Sequence, residues 1–224
     1  MYQEDFNLRI LHVLSEYWMK RVVAIDIETH VEDTFLKDEY VLGVAMAARV
    51  SGELTAASGI EVRSVVLDDE SEEAELRLLQ EANQILDQYR PLGLLGYAHR
   101  GYDVPLLILK VRKHRKPEGQ QLWKLVDALE QAAHVDLRFI LRTRFHINNL
   151  REATEAAVFK DLPLRREKHL VSTDFAQKGK DILNLWKTSR QAFIRYNEAD
   201  AVNPLLIAEY LIKSTGGHDV PQGS

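Results

Sequence analysis

The segment Arg21-Val22-Val23-Ala24-Ile25-Asp26-Ile27-Glu28-Thr29 constrains the fold more than any other stretch of the chain. Its β-branched, nearly uninterrupted apolar run reads as a strand buried on both faces, which calls for a sheet covered by helices on both sides. Yet the run ends in two acids. Asp26 and Glu28 are one residue apart, so the two-residue period of a strand turns both carboxylates to one face. Unpaired carboxylates are costly to desolvate, and a divalent cation held through hard oxygen ligands is the simplest resolution. An exposed strand end with two solvated acids fits the same short pattern, so the pair needs support from elsewhere in the chain.

The rest of the chain supplies an α/β arrangement. Strands are predicted over 41–50 and 61–67, giving with 21–29 an antiparallel meander that turns at Ser51-Gly52, and a short strand follows over 92–97. Apolar periodicity predicts helices over 6–18, 70–89, 104–113, 120–131, 136–144, 150–158, 180–187 and 190–213. Pro105 suits the first turn of the 104–113 helix, with Asp103 as its cap. Pro204, four residues after Asp200, predicts a kink or local break in the last helix, because its ring clashes with the Asp200 carbonyl. The expected organisation is an N-terminal extension over 1–20 packing on one domain over 21–213, then a flexible tail over 214–224.

Composition narrows the chemistry. With no cysteine, disulfides and thiolate zinc sites are excluded. A net charge of -5 speaks weakly against a phosphate-binding partner. Acids clustered around cations, however, lower the net charge without making the metal-loaded surface repulsive. No apolar run approaches the ~18 residues of a membrane span, and the N-terminal residues lack the positive stretch of a secretory signal. A cytoplasmic protein with no membrane association is expected.

Two further acids stand at telling places. Asp103, in Gly101-Tyr102-Asp103-Val104-Pro105, follows an apolar strand and opens a helix, where an ordinary helix cap would also stand. Tyr196 and Asp200, in Tyr196-Asn197-Glu198-Ala199-Asp200, are four apart and therefore share a helical face, as a buried tyrosine bonded to an acid would.

Taken in order, Asp26-Ile27-Glu28-Thr29, Tyr102-Asp103 and Tyr196-Asn197-Glu198-Ala199-Asp200 resemble the DEDD superfamily of 3′-5′ exonucleases. The likeness is to the tyrosine subclass, found in the exonuclease domains of family-B DNA polymerases and their stand-alone relatives. Arg195 stands where the histidine subclass would carry its histidine. The segment His134-Val135-Asp136-Leu137 and Trp186 are also similar to these relatives. One departure is that Ala98 and His99 occupy the place where polymerase exonuclease domains usually carry an asparagine.

The resemblance implies a ribonuclease H-like fold, with a mixed central sheet whose early strands are antiparallel and which helices flank. It implies hydrolysis of DNA, at single-stranded or frayed 3′ ends, to 5′-mononucleotides with two Mg2+ or Mn2+ ions. Asp26 would bridge the ions, Glu28 and Asp200 would complete the nucleophile side, Asp103 would support the second ion, and Tyr196 would orient water. Thr29, Tyr97 and Tyr102 are candidates to contact the terminal nucleotide. Lys110, Arg112 and Lys113 are the foremost candidates to track phosphates, followed by Arg138, Arg142 and Arg144, and by Arg165, Arg166 and Lys168. Asp136 reads as a helix cap. DNA 3′ ends are favoured over RNA because no RNA-binding motif is appended. The alternatives are an exoribonuclease of the same superfamily and a catalytically silent nucleic-acid-binding module.

Overall fold

A computed structural model describes residues 3–30, 40–114, 122–172 and 174–215. The predicted tail lies outside the described residues except for Ser214 and Thr215, which close the last helix.

The architecture is an α/β ribonuclease H-like fold built on a five-stranded mixed sheet in the order β3-β2-β1-β4-β5. The strands are β1 (Val22–Thr29), β2 (Val41–Arg49), β3 (Ile60–Val66), β4 (Gly93–Gly96) and β5 (Ala133–Asp136). β1 pairs antiparallel with β2, and β2 with β3, which forms the expected meander; β1–β4 and β4–β5 are parallel. The central position of β1 explains its composition, since both of its faces are covered and every residue except Asp26 is buried.

Two cores follow from the alternation of side chains along β1. Val23, Ile25 and Ile27 face a core built with α3 (Glu72–Tyr89), α4 (Asp103–Lys113), α5 (Trp123–Gln131) and α8 (Phe175–Thr188). Val22 and Ala24 face the other, built with α1 (Gln3–Ser15), α6 (Leu137–Phe145), α7 (Leu150–Glu155) and most of α9 (Arg190–Thr215). Asp26 and Glu28 continue the Val22–Ala24 row and so belong to the α9 side. Small residues let α9 approach. A Cβ on Gly43, the register partner of Glu28, would stand 2.8 Å from Phe193 Cε1 and 3.0 Å from Asn197 Oδ1.

A buried ion pair fastens α9 to the meander. Arg49 and Glu209 are both fully buried; Arg49 Nε donates to Glu209 Oε1 at 2.8 Å and Nη2 to Oε2 at 2.6 Å. Trp18 Nε1 and the Thr55 amide also donate to Glu209 at 2.9 and 2.6 Å, so no carboxylate oxygen is left with a single donor. Trp18 opens α2 (Trp18–Arg21), a single distorted turn in which Lys20 adopts φ 62°.

The structure departs from expectation at several places. The predicted 6–18 helix is two pieces, α1 and α2, on either side of a turn at Glu16 and Tyr17. β5 has no counterpart among the predicted strands, because four residues containing His134 and Asp136 carry no strand period and run straight into α6. α8 begins at Phe175 rather than 180: Asp174 accepts the Gln177 amide as its cap, and Gly179 is carried inside the helix. α9 continues through Pro204 without a break, although the Asp200 carbonyl loses its helical donor there.

Candidate active site

The carboxyl end of β1 delivers Asp26 and Glu28 to one face, and α9 brings Asp200 beside them. One oxygen from each of the three carboxylates lies within 4.8 Å of the others. Opposite vertices of a magnesium octahedron are ~4.2 Å apart at ligand distances of ~2.1 Å, so a small contraction would close this set around one ion. The donors are all oxygen, which suits magnesium or manganese and disfavours zinc. Glu28 and Asp200 are 4% and 2% exposed, so their charges have little water to compensate them.

Asp103 enters from the opposite core. It sits inside the first turn of α4; Tyr102 holds the cap position and makes no side-chain cap bond. Asp103 is therefore not spent on capping, contrary to the expectation for it. Burial pushes its carboxyl well above the ordinary range, and the nearby charges of Asp26 and Glu28 push it further. Tyr196, 1% exposed, has its phenol raised in the same way, by burial first and then by Glu28 and Asp26. It keeps its proton at neutral pH and can serve as a donor.

Two residues of the site carry no signal in the sequence. Lys178, in the first turn of α8, faces Glu28, Asp26 and Asp103; Glu28 raises its pKa most, against the opposing effect of burial. Among the described residues it is a cation that faces all three of these carboxylates. Asn197, fully buried, donates through Nδ2 to Asp26 Oδ2 at 3.1 Å, which fixes the rotation of that carboxylate.

Thr29 and Tyr102 are drawn together: Thr29 Oγ1 and Tyr102 OH are 2.9 Å apart, joining the end of β1 to the start of α4. Both stand beside the acids. The basic residues of α4 do not. Lys110 is 2% exposed and its ammonium lies 2.9 Å from Glu75 of α3, so it is a structural ion-pair partner and not a phosphate contact. Burial alone would push Glu75 up, yet bonds from His114 and Lys110 hold its carboxyl below the ordinary range. Lys113 is likewise engaged, with Glu72 at 3.2 Å and Glu75 at 3.9 Å. Arg112 is exposed, but nine residues after Asp103 it lies on the opposite side of α4, lining a groove with Arg100, Ile108 and His134.

The loop between β4 and α4 is held without the asparagine of the polymerase exonucleases. Ala98 adopts φ 63°, and its amide donates to Asp136 Oδ1 at 2.9 Å. Asp136 also accepts the Arg138 amide at 3.0 Å, so it is the α6 cap expected of it. His99, fully buried, is 3.1 Å from His134 through ring nitrogens. Burial, His134 and Arg100 together push it down to about 3, so it is neutral at physiological pH.

No family model and no curated protein matches the chain. Among solved structures, the chain is similar to the family B DNA polymerase of the hyperthermophilic archaeon Pyrobaculum calidifontis. The TM-score is 0.57 at 20% identity, over 85% of this chain. The match spans 24% of the polymerase chain. At this identity the likeness is one of fold.

Proposed function

We propose that this chain is a metal-dependent 3′-5′ exonuclease of the tyrosine subclass of the DEDD superfamily, releasing 5′-mononucleotides from DNA 3′ ends. The observation that carries the reading is the convergence of Asp26, Glu28 and Asp200 within 4.8 Å, with buried Asp103 and Tyr196 bearing on the same charges. The solved structure with the similar fold is that of a family B DNA polymerase, which supports a nucleic-acid substrate.

In this reading Asp26, Glu28, Asp103 and Asp200 hold a pair of Mg2+ or Mn2+ ions. Bound there, such ions would activate the attacking water and steady the departing 3′ oxygen. The chain's own residues do the remaining work. Asn197 holds the Asp26 carboxylate in one rotation, so its other oxygen is presented to a cation. Tyr196, protonated at neutral pH, donates to and orients the water. The Thr29–Tyr102 bond keeps β1 and α4 at a fixed separation, so that Asp103 remains opposite Glu28. Lys178 neutralises part of the cluster until metal enters.

The test is a degradation panel of single- and double-stranded DNA and RNA, labelled at either end, with magnesium or manganese. Shortening of DNA from the 3′ end to 5′-mononucleotides is expected. Asp26→Ala and Asp200→Ala should lower the rate by at least ~10³-fold, and Tyr196→Phe by ~10–100-fold, with each variant folded. Wild-type rates in Asp26→Ala would refute the assignment.

A further inference from the structure

The register of the parallel strands places a basic rim beside the acids. Ala24 pairs with Leu95 and Leu95 with Val135, so the residues that follow, Asp26 in β1, Tyr97 just after β4 and Leu137 just after β5, leave the same edge of the sheet. Ala24, Leu95 and Val135 all belong to the α9-side core, and Tyr97 packs against it, so Tyr97 shares the face of Asp26. One residue beyond Leu137 is Arg138, and Arg142 follows one helical turn later on the same side of α6. Two strand spacings, ~10 Å, separate β1, which carries Asp26, from β5, which leads into this rim. That is about three steps of a stacked nucleic-acid strand at ~3.4 Å each.

Arg138 and Arg142 differ from the paired cations Lys110, Lys113 and Arg144. Both are exposed, and among the described residues neither forms an ion pair, whereas Arg144 of the same helix is paired with Glu4. The neighbouring acids are occupied. Asp136 accepts the Ala98 and Arg138 amides, and Glu152 accepts Asn148 N at 2.8 Å and Asn149 Nδ2 at 2.6 Å. Tyr97 is half-buried, its hydroxyl anchored on the Asn148 carbonyl. Burial raises that hydroxyl to about 12, and both Arg138 and Arg142 oppose the rise, as cations close to it must.

We infer that Arg138 and Arg142, with the Tyr97 ring between them and the acids, bind the phosphodiester backbone of a single strand two to three nucleotides upstream of its 3′ end. The inference rests on the exonuclease reading, and it gives the strand a direction: across the carboxyl ends of β4 and β5, not along the α4 groove that holds Arg100 and Arg112.

The experiment measures fluorescence anisotropy of a labelled oligothymidylate of about eight nucleotides, with calcium in place of magnesium, across a salt series. Arg138→Ala/Arg142→Ala should raise Kd by ~10–100-fold and reduce the slope of log K against log[salt] by about 1.4, two phosphates at ~0.7 each. Arg138→Lys/Arg142→Lys should retain most of that slope, and Arg100→Ala/Arg112→Ala should bind as the wild type does. An unchanged Kd and slope in Arg138→Ala/Arg142→Ala overturns the inference. So does a larger loss in Arg100→Ala/Arg112→Ala, and so does a wild-type protein that binds no oligonucleotide. Failure of the exonuclease reading looks different: no oligonucleotide is shortened in magnesium or manganese, while binding still depends on Arg138 and Arg142.

Discussion

Thr29 Oγ1 and Tyr102 OH lie 2.9 Å apart, across 73 residues of sequence, where the last residue of β1 meets the residue preceding α4. The bond links the two elements that carry Glu28 and Asp103. Thr29→Val and Tyr102→Phe should each cost about 1 kcal/mol of stability. In a double-mutant cycle read by urea unfolding, the double variant should cost little more than the worse single one. Full additivity would show that the two hydroxyls act independently.

Asp103 makes the metal-free protein lose stability as pH rises. Its folded pKa is raised, so between the ordinary value of 3.8 and that raised value the folded state holds a proton that the unfolded chain has released. Stability from this group is present below 3.8 and declines as pH rises through that window. Asp103→Asn should flatten the decline in Tm with pH and raise the Tm of the metal-free protein at neutral pH, while abolishing hydrolysis. Manganese should raise the Tm of the wild type more as pH increases, since ligands must lose their protons to bind. A pH-independent manganese effect would contradict the role given to Asp103.

Lys178 competes with cations for the same carboxylates. Lys178→Met should lower the Tm of the metal-free protein and tighten manganese binding severalfold, as calorimetry would read it. Weaker manganese binding in Lys178→Met would indicate that the lysine organises the site for metal.

The Arg49–Glu209 pair is fully buried, so removal of one partner leaves an uncompensated charge. Arg49→Met or Glu209→Gln should cost about 3–5 kcal/mol in denaturant unfolding. A joint replacement of both by apolar residues should cost less than either alone.

The sequence made the central strand legible because β1 is covered on both faces, and its only acids sit at one end. The meander, α3, α4 and α9 were readable for the same reason: their apolar periods match the cores they fill. β5 was not, since a four-residue strand containing His134 and Asp136 shows no period. The turn of α8 that carries Lys178 was missed because Gly179 interrupts the helical pattern, and a lone lysine gives no sign of what it faces. Lys110 misled in the other direction. A run of basic residues looks the same whether it faces water or, as here, the buried Glu75 of another helix. Asp103 reads equally well as a cap or as a buried acid, and only the position of Tyr102 at the helix start separates the two.

Asp200 and Tyr196 come from α9, whereas Asp26 and Glu28 come from a strand more than 160 residues earlier. The carboxylates are therefore gathered by the same docking of α9 that covers one face of the sheet. A chain that ends before α9 keeps Asp26 and Glu28 but lacks Tyr196 and Asp200, so one folding event both closes the core and assembles the acids.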